Sequence, residues 1–138
     1  PAAGTWKIAL EASSSSYSSY SGKTLAVNPT VSQSIALGGT VTGLSGTSGQ
    51  IDFWTVEVPA GTPQLYVSVG GGSGSPNYLV VGQSNYPSSK NSSTYSCIDY
   101  SGNVCVINNP AAGTWKIALE ASSSSYSYYS GKTLTVNP

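Results

Sequence analysis

The fold is decided at residues 51–69, which read IDFWTVEVPAGTPQLYVSV. Two runs of alternating apolar and polar residues flank a Pro-Ala-Gly interruption at 59–61. Alternation with a period of two places every second side chain on the same face of a strand. The pattern therefore predicts two β-strands, whose buried faces carry Trp54, Val56 and Val58 in the first and Leu65, Val67 and Val69 in the second.

The rest of the chain continues this pattern of short strands separated by Gly, Pro and Asn. Strand-like runs occur at 40–44, 78–81, 114–119 and 133–136, and no segment of useful length has a helical period. Short alternating strands between turn residues are typical of β-sandwiches. We therefore expect an all-β fold, an antiparallel, jelly-roll-like β-sandwich of about eight short strands.

The composition excludes several classes of function. The 138 residues include no His, Met or Arg, and five Lys balance five acidic residues to zero net charge. Without His there is no Ser-His-Asp relay and no His metal ligand. Five scattered lysines cannot form the basic stripe of a nucleic-acid-binding protein, and no apolar run approaches the length of about 18 residues that spans a membrane. We therefore expect no enzyme activity, cofactor or metal site, and no nucleic-acid or membrane partner.

The chain repeats one of its own segments almost without change. Residues 1–29 read PAAGTWKIALEASSSSYSSYSGKTLAVNP, and residues 110–138 differ from them at two positions only. Ser19 corresponds to Tyr128, and Ala26 corresponds to Thr135. The offset of 109 residues (110 − 1) suits a whole β-domain. We interpret 30–138 as a complete unit and 1–29 as the C-terminal strand segment of a preceding or neighbouring repeat; an arbitrary cut through a tandem array explains the duplication equally well.

The duplicated segment predicts how units are connected. One sandwich has one slot for this strand pair, and a spare copy left alone would expose apolar side chains and unpaired strand edges. We expect it to fill the same slot in an adjacent unit, either the previous repeat of one polypeptide or a separate subunit completed by strand exchange. Units joined in this way would form an extracellular fibre or array of copies of the chain. The apolar residues of this assembly segment are Trp6, Ile8, Leu10, Leu25 and Val27, which correspond to Trp115, Ile117, Leu119, Leu134 and Val136.

The two cysteines are placed for a disulfide. A three-residue loop at 100–102, with Gly102 at the position that needs a positive φ, predicts a hairpin in which Cys97 faces Cys105. Directly opposed residues are within disulfide reach, although a reduced pair is the alternative. A disulfide implies an oxidising compartment and hence an extracellular location, secreted or at the cell surface.

Tyrosines in the serine-rich loops are the candidate binding surface. Tyrosine gives a large, stiff and amphipathic contact at low entropic cost, which suits carbohydrate, collagen or protein partners. The alternative is that some of these rings simply pack against the edge of the sandwich. The candidates are Tyr17, Tyr20, Tyr126, Tyr128 and Tyr129.

Seven short motifs follow one another in a recognisable order along the unit. They lie at 38–40, 58–62, 69–75, 95–97, 102–105, 110–115 and 129–131, and the most distinctive are VPAGT at 58–62 and PAAGTW at 110–115. This ordered set resembles the bacterial pre-peptidase C-terminal domain, and the match covers essentially all of 30–138. The resemblance implies a β-sandwich similar to the collagen-binding domains of secreted clostridial collagenases, in a family appended to exported enzymes and implicated in secretion, processing or binding of insoluble substrates. A collagen- or polysaccharide-binding accessory module of a secreted hydrolase is therefore the alternative function.

One departure from that family bears on metal binding. Its members commonly carry Gly-Asp-x-Asp-Leu-Tyr after the glycine loop, where residues 74–79 here read GSPNYL. Both acids are absent, and Ca²⁺ needs several oxygen ligands that usually include carboxylates. We therefore expect no calcium site of the kind seen in related domains.

Overall fold

The computed structural model describes residues 33–47, 50–83, 95–121 and 128–138. These residues form two five-stranded sheets and contain no helix that could span a membrane. The predicted β-sandwich is confirmed, with ten strands where about eight were expected. The additional two are two-residue strands. The strands are β1 Gln33–Ser34, β2 Thr40–Gly46, β3 Ile51–Val58, β4 Gln64–Gly70, β5 Ser73–Gly74, β6 Tyr78–Gly82, β7 Cys97–Asp99, β8 Val104–Asn108, β9 Gly113–Glu120 and β10 Tyr129–Asn137.

The two sheets have the strand orders β1-β3-β9-β6-β7 and β2-β10-β4-β8, with β5 pairing on β10. All pairs among the described strands are antiparallel except the two-residue pair of β1 with β3, which is parallel. Neighbours in a sheet are mostly distant in sequence, so the segments 33–83 and 95–138 are interleaved throughout.

The core lies between the sheets, and the alternation in the sequence identifies its side chains correctly. The inward residues of β3, β4 and β9 are all at most 5% exposed. Burying a large aliphatic side chain contributes about 1.5–3 kcal/mol, so these three strands supply much of the stability. The nine residues are Trp54, Val56, Val58, Leu65, Val67, Val69, Trp115, Ile117 and Leu119.

The predicted hairpin around the cysteines is wrong, although the predicted disulfide is confirmed. Cys97 and Cys105 are bonded, with their Cα atoms 5.7 Å apart. However, β7 pairs with β6 in the first sheet, whereas β8 pairs with β4 in the second. The turn after β7 therefore carries the chain from one sheet to the other, and the disulfide joins two edge strands across the sandwich.

Candidate functional site

The two described strands of the C-terminal segment 110–138 lie in the middle of the two sheets. Its first strand, β9, lies between β3 and β6, and its second, β10, lies between β2 and β4. Strand β9 pairs with β3 along eight residues, from Ile51 opposite Glu120 to Val58 opposite Gly113. Without this segment each sheet would be divided in two, so the rest of the unit forms a slot that one such strand pair must fill.

The predicted assembly residues of this segment lie in the core. Trp115, Ile117, Leu119, Leu134 and Val136 are each at most 3% exposed. Their predicted counterparts at 6, 8, 10, 25 and 27 lie outside the described residues. In the described part of the segment, 110–121 and 128–138, the nine buried residues are all identical in the spare copy at 1–29: Pro110, Trp115, Ile117, Ala118, Leu119, Ala121, Tyr129, Leu134 and Val136.

The two differences between the copies fall where the slot does not constrain them. Tyr128, which corresponds to Ser19, is 63% exposed. Thr135, which corresponds to Ala26, is half-buried in β10 and lies opposite Thr40 and Ser68 of its neighbouring strands. Replacing a threonine by alanine there removes no part of the core. Both copies therefore carry the same side chains at the positions that the slot buries.

One side-chain hydrogen bond lies within the segment, and another joins the segment to its slot. The indole Nε1–H of Trp115 donates to the carbonyl oxygen of Ala111, in the same segment, at 2.9 Å. The Tyr129 hydroxyl donates to the Asp52 carboxylate at 3.2 Å, and the Gln50 side-chain amide donates to the same carboxylate. Burial first, and the nearby Asp52 charge second, raise the pKa of Tyr129 far above its ordinary value. The hydroxyl therefore stays a protonated donor under all ordinary conditions.

This anchoring corrects one of the predicted binding residues. Tyr129 is 1% exposed, and its ring packs against the backbone of Gly46 so closely that a Cβ there would collide with it. The ring is part of the core and cannot contact a ligand. Tyr128 is the exposed member of the set, whereas the candidates at 17, 20 and 126 lie outside the described residues.

A second exposed tyrosine, which the sequence did not single out, lies at the same end of the sandwich. Tyr100 is 68% exposed at the turn after β7. The Gly/Ser-rich loop at 70–76 connects the two positions, because Gly74 abuts the backbone of Tyr128 and Pro76 packs on Gly102. Both glycines have a positive φ, of 70° and 66°. Tyr100 and Tyr128 thus flank the small residues of this loop, and we call this surface the tyrosine end.

The Asp99 carboxylate organises the turn that crosses between the sheets. It accepts hydrogen bonds from the backbone N–H groups of Ser101, Asn103 and Val104 at 3.1, 2.7 and 2.9 Å. Partial burial acts to raise the pKa of Asp99, but the three donors together outweigh it and hold that pKa below the ordinary value. The charged carboxylate therefore stabilises the turn that positions Cys105 for its disulfide.

The other acidic groups are spread over the molecule. Asp52 is bound by Tyr129 at one end of β3, whereas Glu57 accepts a hydrogen bond from Thr114 on the outer face. Glu120 accepts from the side-chain amide of Asn77 at 3.3 Å, and burial raises the pKa of this carboxyl. Among the described residues, no three His, Cys, Asp or Glu side chains are grouped as a metal site requires.

Comparisons with known proteins agree with this architecture. The model of the bacterial pre-peptidase C-terminal domain family matches residues 50–121, which is more than half of the chain. The pre-peptidase C-terminal domain of a collagenase from Bacillus anthracis is 17% identical, with a TM-score of 0.52 over 80% of this chain and 99% of that chain. The periplasmic inhibitor of g-type lysozyme, PliG, from Aeromonas hydrophila is 13% identical, with a TM-score of 0.50 over 77% of this chain and 99% of that chain. At these identities the structures establish a shared fold only. No curated protein sequence matches the chain.

Proposed function

The chain belongs to the bacterial pre-peptidase C-terminal domain family, and from that premise we propose that it is a non-enzymatic, secreted structural repeat. Its units join end to end into an extracellular fibre or array. In each junction, the strand segment at 1–29 of one unit fills the slot of the adjacent unit, in the position that 110–138 has in its own unit. Where the adjacent unit is a separate copy, 1–29 takes the place of that copy's 110–138. The adjacent unit is the preceding repeat of the same polypeptide or a separate copy of the chain.

One observation carries this proposal. Every buried residue of 110–138 has an identical counterpart in 1–29, and both differences lie at positions that are not buried. A segment that fits the slot at Trp115, Tyr129 and Leu134 also fits at the corresponding positions of its copy. Two segments and one slot in the same chain favour a connection between units.

The geometry at the end of the slot supports closely spaced units. The end of β10 is bound to the start of the unit, because Val136 exchanges backbone hydrogen bonds with Gly38 and Gly39 at 2.7 and 3.0 Å. In the spare copy, five residues, 28–32, separate the counterpart of Val136 from the start of β1. Residues 27 and 33 are six Cα-to-Cα steps apart and therefore span at most about 22 Å, so a unit that received 1–29 would lie directly beside the next one.

The remaining parts of the proposal have separate support. The disulfide between Cys97 and Cys105 suits an oxidising compartment, which favours secretion. The absence of His and Arg from the sequence, together with the scattered carboxylates among the described residues, favours a role without catalysis. Few charges and many hydroxyl groups allow copies of the chain to approach without repulsion.

The test is a pair of engineered disulfides. Ser68 lies opposite Thr135 in neighbouring strands, and Ala26 is the counterpart of Thr135. In the variant Ser68→Cys/Ala26→Cys, a segment that fills the slot of another copy produces a ladder of covalent oligomers on a non-reducing gel after refolding. The matched control Ser68→Cys/Thr135→Cys should form only intrachain bonds. Monomers alone in the first variant, bonded or not, would contradict the exchange of this segment between separate copies.

A second candidate function is a substrate-binding accessory module, and the tyrosine end is the observation that favours it. Tyr100 and Tyr128 are both more than 60% exposed beside a Gly/Ser surface, as tyrosines in binding surfaces often are. The fold is also that of a domain from a collagenase. Electron microscopy separates the two functions, since filaments favour assembly. Dispersed particles that co-sediment with collagen, chitin or cellulose favour binding. In that case the variant Tyr100→Ala/Tyr128→Ala should no longer co-sediment.

A further inference from the structure

Strand β8 forms one edge of the second sheet, and its backbone has a regular pattern of paired and unpaired groups. It pairs with β4 through alternate residues, because Asn103 O accepts from Val69 N at 2.7 Å and Asn109 N donates to Pro63 O at 2.8 Å. In an antiparallel ladder, the residues between these hydrogen-bonded pairs point their N–H and C=O groups the other way. The backbone groups of Val104, Val106 and Asn108 therefore point away from the sheet.

The other sheet edges in the described part of the chain are poor templates for a further strand. Strands β1 and β7 are two and three residues long. Strand β2 is irregular, with two register shifts against β10 and a positive φ of 72° at Gly43. Short length and bulges are the usual features that protect an edge strand from pairing with another chain, and β8 has neither feature. Its five residues include no Pro and no charged side chain.

Two of the three side chains on the outer face of β8, Val104 and Val106, are apolar and exposed, and the third is the uncharged amide of Asn108. Val104 is 38% exposed and Val106 is 44% exposed. They lie opposite Ser68 and Tyr66 of β4, so the outer surface along this edge is uncharged. Two copies of such an edge can approach without electrostatic repulsion, because the nearest acid, Asp99, would lie at opposite ends of two antiparallel strands.

We propose that β8 pairs in antiparallel register with β8 of a second copy, around a two-fold axis at Val106. A two-fold interface brings the same surface of both copies together. With Val106 on the axis, it exchanges both backbone hydrogen bonds with the partner's Val106, and the two valine side chains contact on the outer face. Val104 then lies opposite the partner's Asn108.

Asp99 fixes how many hydrogen bonds this pairing forms. Its carboxylate already accepts from the Val104 N–H at 2.9 Å, so only the Val104 carbonyl remains for the partner's Asn108 N–H. The pairing therefore adds four backbone hydrogen bonds, two at the axis and one at each end, and joins the two sheets into one. The disulfide at Cys105 holds β8 in place before the partner arrives, which lowers the entropy lost on pairing.

This interface is independent of the exchange of segment 1–29, since it uses the opposite side of β4 from β10. It would link units sideways, whereas the segment links them end to end. A lateral contact of this kind would bundle single arrays in pairs. Failure of either contact leaves the other in place.

The register can be tested with single cysteines in the full chain. A two-fold axis at Val106 places residue 106 of both copies in a hydrogen-bonded pair, with Cα atoms about 5.5 Å apart and within disulfide reach. Under mild oxidation, Val106→Cys should therefore form a covalent dimer. The matched control Val104→Cys should remain at least about tenfold less dimeric, because its opposite residue is the partner's Asn108. If both variants form the covalent dimer equally, or if neither variant forms it, the proposal is overturned.

The affinity can be tested by placing one charge on each edge of the sheet. Val106→Lys should raise the dissociation constant of the dimer at least about tenfold in sedimentation equilibrium, because two ammonium groups would meet on the axis. Thr42→Lys, on exposed β2 at the other edge of the same sheet, should change it less than about twofold. A wild-type chain that stays monomeric up to about millimolar concentration, or an equal effect of both lysines, contradicts the pairing. The cross-linked ladder of Ser68→Cys/Ala26→Cys should persist when Val106→Lys is added.

Discussion

Trp54 and Trp115 bury the same indole group in two different polar environments. Trp115 Nε1 donates to Ala111 O, whereas Trp54 Nε1 is buried and has no hydrogen-bond acceptor among the described residues. Both side chains are at most 3% exposed. A buried donor without a partner loses its hydration and gains nothing in return, so the Trp54 N–H destabilises the fold even as its ring stabilises it.

We expect Trp54→Phe to destabilise the protein less than Trp115→Phe. Both substitutions remove the same atoms from the core, but only the second removes a hydrogen bond. The first also removes an unsatisfied donor. The difference in the free energy of unfolding should be about 1–2 kcal/mol, measured by urea denaturation followed by circular dichroism. A larger loss in Trp54→Phe would show that its N–H has an acceptor.

The pH dependence of stability at Asp99 follows from the direction of its pKa shift. The pKa is lower in the folded state than its ordinary value of 3.8, so the contribution of Asp99 is complete above that value. It is lost as the pH falls through the folded-state pKa. We expect Asp99→Asn to lower the free energy of unfolding by about 1 kcal/mol at neutral pH, with a difference from wild type that shrinks below about pH 4.

Glu120 provides the control because its pKa is shifted in the opposite direction. Burial raises the folded-state pKa above the ordinary value of 4.5, so the charged form is disfavoured in the fold. Stability from this group is present below pH 4.5 and lost as the pH rises through the folded-state pKa. The free energy of unfolding of Glu120→Gln, relative to wild type, should therefore increase as the pH rises, whereas that of Asp99→Asn should decrease. Parallel curves for the two variants would rule out these assignments.

At the level of strands, alternation predicted the buried faces correctly but not the partners. It identified the inward residues of β3, β4 and β9 because the period-two pattern is a property of each strand alone. The hairpin that joined Cys97 and Cys105 was predicted from Gly102, which suits the positive φ of a tight turn and does have a positive φ. The turn leads instead to the other sheet, where Val67 lies opposite Cys105. Pairing depends on contacts far apart in sequence, which a local pattern does not contain.

The same reason explains which parts of the candidate site escaped prediction. The near-identity of 1–29 and 110–138 can be read directly from the sequence. The alternating pattern also identifies the core residues of the segment. Tyr129 looked like its neighbour Tyr128 because both lie beside serines, and only the approach of Gly46 shows which ring is buried. The exposed edge at Val106 depends on which strand ends the sheet, and therefore on the whole topology.

The disulfide joins the edge strands β7 and β8 across the sandwich, and we expect its removal to weaken the whole fold. It closes a loop with a sequence separation of 8 residues, for which the chain-entropy model gives about 2–3 kcal/mol. Cys97→Ala/Cys105→Ala should lower the free energy of unfolding by about that amount, measured in denaturant. Thiol titration of the wild-type protein should find no free cysteine. Two titratable thiols in the freshly isolated protein would contradict the bond.

At the level of the whole molecule, both sheets of the unit depend on the segment 110–138 for a central strand. The central positions of β9 and β10 mean that residues 30–109 alone lack the middle strand of each sheet. At least six large buried side chains leave with the segment, including that of Tyr129, each contributing about 1.5–3 kcal/mol. That loss is comparable to the entire stability of a domain of this size, so residues 30–109 should be unfolded.

We expect a peptide of residues 1–29 to restore this truncated unit as well as a peptide of residues 110–138 does. The two peptides are identical at every position that the slot buries, and they differ only at Ser19/Tyr128 and Ala26/Thr135. Their dissociation constants for residues 30–109, measured by recovery of the circular dichroism signal, should therefore agree within about tenfold, which is 1.4 kcal/mol. A 1–29 peptide carrying Trp6→Asp should not bind, because it would bury a charge where Trp115 lies. If only the 110–138 peptide restored the fold, the two segments would not be equivalent, and the slot could not serve as a junction between units.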